Sequence, residues 1–303
     1  APTDVSAVST GSQIMQTVTS LITGLAMGIT ILVGQKIGEK RPEQAGDVIG
    51  SGICLFGVLA AVLTVLMILG AGFLAGLMHA PDEAFSQTVD YIRICSAGAV
   101  FIIAYNVLGS IFRGIGDSRM PLFTVAAACV FNIGGDLLLV AGFHMGAAGA
   151  ALATVAAQAA SVLLSLAVIR RRTLPFTIGK KNLRFERRLV GRILALGTPI
   201  ALQDLLVSIS FLVILAIVNS MGVIASAGVG VAEKLCAFIM LVASAYMQSM
   251  SAFVAQNMGA GKPERAKRAL LYGIGTSLMA GVTLFYFSFF HGDAMAGIFA
   301  RDP

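Results

Sequence analysis

Three polar side chains stand in otherwise apolar runs at a spacing that could bind a small cation. Asn132 and Asp136 lie four residues apart in "FNIGGDLLLVAG", and Thr154 ends the following "GAAGAALAT". On a helix, positions i and i+4 share one face a turn apart. The turn between this helix and the next is expected to centre near Met145, nine residues after Asp136 and nine before Thr154. Both then sit roughly 13 Å from that turn, at 1.5 Å per residue, on adjacent antiparallel helices. A carboxylate, an amide oxygen and a hydroxyl at one level make an oxygen-ligand site for a proton or a Na⁺ ion. The plainer alternative is a structural hydrogen-bonded cluster.

Two further polar groups fall inside apolar stretches. Gln203 and Asp204 follow Pro199 near the middle of an expected helix. A proline there frees a carbonyl and can bend the helix, and the acid either attracts a cation or makes a polar contact. Glu233 and Lys234 lie about nine residues into the next helix. Neighbours in sequence point in different directions, so they need not pair. Facing an internal cavity competes with snorkelling of Lys234 toward the outer surface. They join Gln203 and Asp204 as substrate-cavity candidates.

Other chemistries find no support in the residues. The four cysteines, Cys54, Cys95, Cys129 and Cys236, lie in apolar runs without a CxxC and read as packed free thiols. His79, His144 and His291 are isolated, so no metal site is expected. "GAGK" at Gly259–Lys262 lacks the phosphate-loop spacing. With no nucleophile–base pair and no cofactor motif, an enzyme is not expected.

The elements that must position these groups follow from composition. The chain is 57% hydrophobic and 12% charged, with a mean hydropathy of +0.89. Soluble domains carry about 25% charged residues. Runs free of Asp, Glu, Lys and Arg include 5–35, 48–80 and 94–112, and a bilayer core takes about 20 apolar residues to cross. An all-α polytopic membrane protein is therefore expected. Eight helices are predicted, over 5–37, 43–78, 85–113, 120–143, 147–170, 189–220, 224–258 and 263–298.

The formal charge of +6 reports topology rather than a nucleic-acid partner. Alternate connections carry 18 of the 21 Lys and Arg residues, the bias of cytoplasmic loops. The protein is thus expected in the plasma (inner) membrane, multi-pass, with its basic loops cytoplasmic. By this rule residue 1 lies outside; it is alanine, and a helix begins almost at once. A preceding helix is therefore expected.

A repeat organises the chain. "VGQKIGEKRPEQA" (33–45) and "VAQNMGAGKPERA" (254–266) are identical at six of 13 positions, at a constant offset of 221 residues. "LMHAPD" (77–82) and "IFARDP" (298–303) also resemble each other. Parallel duplicated halves are a common transporter plan. Each repeated string reads as a tight cytoplasmic turn. Gly38 and Gly259 are expected in left-handed geometry at a helix end, while Pro42 and Pro263 start the next helix. Gln35 and Gln256 complete the string, and Glu43 and Glu264 sit where a helix dipole favours an anion. The polar segment 170–188 reads as a linker lying against anionic headgroups. It divides the chain into 1–188 and 189–303.

"ILVGQKIGEKRPEQA", "LGSIFRGIGDSRMPL", "FNIGGDLLLVAGFHMGAAGAALAT" and "AFVAQNMGAGKPERA" together resemble the MATE multidrug and toxic compound extrusion family, nearer its DinF-like and gut-bacterial members than its NorM branch. The resemblance implies a two-lobed bundle of twelve helices. Residues 1–188 would be the N-lobe without its first helix, and 189–303 the first three helices of the C-lobe. It also implies a monomeric antiporter in the lipid bilayer that exports amphipathic or cationic compounds for H⁺ or Na⁺ by alternating access, without a cofactor. Asn132, Asp136 and Thr154 match the family's N-lobe cation site, which also uses an aspartate from the first helix. The C-lobe glutamate of NorM-type members corresponds to Val207. A lipid-linked precursor flippase of the same superfamily is the alternative; such proteins use a strongly basic cavity, whereas most Lys and Arg here lie in loops.

Overall fold

The computed structural model describes residues 2–172, 174–176, 179, 181–219 and 223–292. Among these residues the chain is helical without strands: α1 (Pro2–Gly38), α2 (Pro42–Leu77), α3 (Asp82–Ala97), α4 (Ala99–Gly114), α5 (Arg119–Asp136), α6 (Gly146–Arg171), α7 (Arg187–Asn219), α8 (Val223–Gly259) and α9 (Pro263–Phe290). Among the described residues seven helices are long and apolar enough to cross a membrane, or eight segments if the bent pair α3 and α4 is counted as one span. In a bilayer every backbone polar group must be paired within the span, which leaves helices as the solution for such segments.

Two predicted spans differ in detail. The helix expected over 85–113 is two helices bent by 52° at Gly98. Without a Cβ, Gly98 lets the bend settle against Val155 of α6. The helix expected over 120–143 is α-helical only to Asp136 and continues as a π-helical stretch, Leu137–Gly142. Wider turns of this kind recur at functional sites. The part of the helix expected over 263–298 that lies beyond 292, and "IFARDP", fall outside the described residues.

α1 is the central helix, packed against α2, α3, α4, α6, α7 and α8. Its inner face builds the main core with Ile22, Ile29 and Leu32 against Ile49, Phe56, Ile103, Ile111 and Ile193. Polar groups on that face are paired across the interface. Thr23 donates to Asn106 at 2.8 Å and Thr30 to the Ser110 carbonyl at 2.9 Å. The opposite faces of α2, α5, α7 and α9 expose leucine, valine and phenylalanine, as expected of surfaces solvated by lipid.

The linker is held at discrete points. Phe176 is buried in the main core, and Asn182 donates to Asp47 of α2 at 2.8 Å. Ser51 donates to the Arg184 carbonyl at 3.2 Å.

The two repeated strings lie against each other. A Cβ at Gly38 would overlap the Gln256 carbonyl, and one at Gly259 would overlap the Gln35 carbonyl. The contact is reciprocal between repeat-equivalent residues, so the ends of α1 and α8 meet about a local two-fold. This corrects the expected role of these glycines. The left-handed residues of the two turns are Lys40 (φ 58°) and Gly261 (φ 67°); Gly38 and Gly259 end their helices and are small so that two backbones can touch. Pro42 and Pro263 are the first residues of α2 and α9.

Candidate functional site

α5 and α6 run antiparallel and are fastened along their length. Ser161 of α6 donates to the Thr124 carbonyl of α5 at 2.7 Å. Farther along, Gly135 approaches so closely that a Cβ there would lie 2.9 Å from the Ala153 Cβ. This register fixes which polar side chains meet. Asn132 Nδ2 donates to Thr154 Oγ1 at 3.5 Å, and Thr154 donates to the Ala150 carbonyl at 3.0 Å.

Asp136 bonds to neither residue. Its Oδ1 is enclosed and has no hydrogen-bond partner among the described residues. The π-helical stretch explains the offset. α6 begins at Gly146, and the turn occupies Phe143–Met145 around left-handed His144. Its centre is therefore one residue earlier than expected, and Thr154 stands between the levels of Asn132 and Asp136. The expected single-level triad is a staggered set.

A fourth group completes it. Tyr91 of α3 is buried, at 5% exposure; its ring rests on α1 at Gly11, where a Cβ would collide with it. The phenol lies near Thr154 and Cys95 and within electrostatic reach of Asp136. Sequence reasoning did not single out Tyr91. A signal existed: Gln87/Tyr91 and Thr154/Gln158 repeat the i, i+4 spacing of Asn132/Asp136. Gln87 and Gln158 each keep an enclosed oxygen without a partner among the described residues. Carboxylate, amide and hydroxyl oxygens are the donor set that hard cations accept, and an orphaned carboxylate oxygen fits a proton or Na⁺.

The other candidates are not joined to this set. Asp204 is half-buried in α7, and its carbonyl accepts from Ser208 at 3.0 Å; no hydrogen bond or ion pair among the described residues ties it to α5 or α6. Gln203 is exposed, and Glu233 is half-buried on α8. The Lys234 side chain lies outside the described residues. Gln256 binds the end of α4, its Nε2 donating to the Gly114 carbonyl at 2.8 Å.

The profile of the MatE family matches residues 1–138 and 199–303. The chain belongs to the MatE family. Asn132 and Asp136 fall inside the first MatE segment, and Thr154 falls between the two. A relative named probable multidrug resistance protein YoeA, from Bacillus subtilis (strain 168), is 28% identical over 98% of this chain and 66% of its own length. An FAD transporter of Shewanella oneidensis is 27% identical over 94% of this chain and 64% of its own. The chain thus spans about two thirds of the length of these MatE relatives. The fold matches a structure titled as the outward-facing conformation of a multidrug resistance MATE family transporter of the MOP superfamily. The TM-score is 0.89 at 24% identity, covering 99% of this chain and 67% of that one.

Proposed function

We propose that the protein is a secondary active exporter of amphipathic or cationic compounds, driven by H⁺ or Na⁺ entering at Asp136. The observation that carries this reading is the enclosed Asp136 oxygen without a partner, beside the Asn132–Thr154 pair and Tyr91. An ionisable group at membrane depth is costly, and here it is left open to an exchangeable cation. Asn132, Thr154 and Tyr91 supply neutral oxygens around that cation and hold the carboxyl between α3, α5 and α6. Loading and release at Asp136 alter the packing of these three helices and so bias alternating access.

The orientation proposed is multi-pass in the plasma membrane with the basic turns cytoplasmic. Residues 1–188 form the N-lobe side and 189–303 the C-lobe side. In this orientation the reciprocal Gly38–Gln256 and Gly259–Gln35 contacts close the cytoplasmic end, leaving the outer end as the side of release. The naming of several relatives for multidrug resistance or export supports the substrate class.

Dye efflux by cells expressing the complete gene product, with pH and Na⁺ varied separately, tests the proposal. Efflux that follows one ion and disappears in Asp136→Asn is the expected result. Efflux unchanged by both ions and by the substitution would refute it.

A further inference from the structure

The two repeated turns differ at one position in a way the fold does not require. Gly261 takes φ 67° in the second turn, and its counterpart in the first, at φ 58°, is Lys40. Left-handed backbone is uncommon for residues other than glycine, and such outliers concentrate where a side chain has a task. Lys40 and Arg41 line a cavity of about 440 Å³ whose other walls include Ile37, Pro42, Leu174 and Phe176. Phe176 anchors one wall in the core, and the Asn182–Asp47 bond fastens the linker behind it. The nearby carboxylate of Glu39 is taken by Lys36 at 2.8 Å, with Arg41 3.6 Å away; Lys40 has no acidic partner among the described residues.

Two cations above an apolar floor, at the end of membrane-crossing helices, complement an amphiphile with an anionic head. We propose that this cavity binds an anionic phospholipid of the cytoplasmic leaflet. Lys40 and Arg41 hold the phosphodiester, and the first acyl methylenes rest on Ile37, Leu174 and Phe176. Basic clusters at this depth attract anionic lipids; here a walled cavity adds a defined seat. The leaflet assignment rests on the orientation proposed above.

The test uses the whole chain in nanodiscs of mixed phosphatidylcholine and phosphatidylglycerol, with retained lipids counted by native mass spectrometry. Both leaflets have one composition, so the outcome is independent of orientation and transport. The retained phosphatidylglycerol-to-phosphatidylcholine ratio of the parent should exceed the bulk ratio by roughly thirtyfold, the scale two basic groups supply. Lys40→Gly combined with Arg41→Gln should bring retention to the bulk ratio. Its melting temperature in phosphatidylcholine alone should be unchanged or higher, because glycine suits the left-handed site. Lys262→Gln, in the second turn, should keep the enrichment. Equal enrichment in the double variant, or equal loss in Lys262→Gln, overturns the proposal. So does displacement of the lipid by millimolar inorganic phosphate, which would mark a site for free anions.

Discussion

Gly38 at the end of α1 rests against the Gln256 carbonyl of α8, and the equivalent pair, Gly259 and Gln35, repeats the contact with the helices exchanged. Neither glycine can gain a side chain without separating the two backbones. Gly38→Leu should cost about 1–3 kcal/mol through overpacking, read as a lower melting temperature in detergent. In the bilayer it should also lengthen the distance between spin labels at positions 40 and 261. An unchanged distance would remove the closure role given to this contact.

Asp136→Asn keeps the shape of the carboxyl but cannot bind a proton or supply a negative charge. Membrane insertion should be unaffected and ion-driven efflux should fall to the level of cells without the protein. Immunoblots of membrane fractions beside dye-efflux traces separate these effects.

Tyr91→Phe removes one hydroxyl near Thr154 and leaves the ring packed on Gly11. Loss of a polar contact of this kind is worth up to about 1 kcal/mol, the scale of one hydrogen bond. The H⁺ or Na⁺ concentration giving half-maximal efflux should therefore move by up to roughly fivefold, while maximal efflux is kept. No movement would mean that the phenol only packs.

Asp117 holds the start of α5. Its Oδ1 accepts from the Arg119 and Met120 amides at 3.0 and 3.1 Å, and its other oxygen is 3.5 Å from Arg172. Asp117→Ala should cost about 1 kcal/mol, mostly through the lost cap, since an exposed ion pair adds little. Thermal unfolding of Asp117→Asn should fall between the parent and alanine.

Glu39 lies outside the spans, and its hydrogen bond with Lys36 holds its carboxyl below the ordinary carboxylate range despite some burial. The folded state thus binds that proton less readily than the unfolded chain. Its contribution is present above the unfolded carboxylate's pKa and is lost as pH falls through the depressed folded value. The stability gap between parent and Glu39→Gln should be seen at neutral pH and close on acidification through that window. A gap independent of pH would assign the contact to packing instead.

The sequence by itself determined the class and the count of spans. Apolar length against bilayer thickness leaves little choice, and the helix ends at Gly38/Pro42 and Gly259/Pro263 are written in residue types. It also singled out Asn132, Asp136 and Thr154, because polar groups at i and i+4 in an apolar run must share a face. Only the tertiary structure decided how those groups meet. The π-helical stretch after Asp136 shifts the α5–α6 register, so Thr154 pairs with Asn132 and leaves the carboxyl open. Tyr91 reaches the set from a helix some 40 residues away in sequence, through a packing of α3 on α1 that no local pattern encodes. The role of Gly38 and Gly259 was hidden for the same reason. A glycine that frees the backbone and one that admits a second backbone read alike until the neighbouring helix is in place.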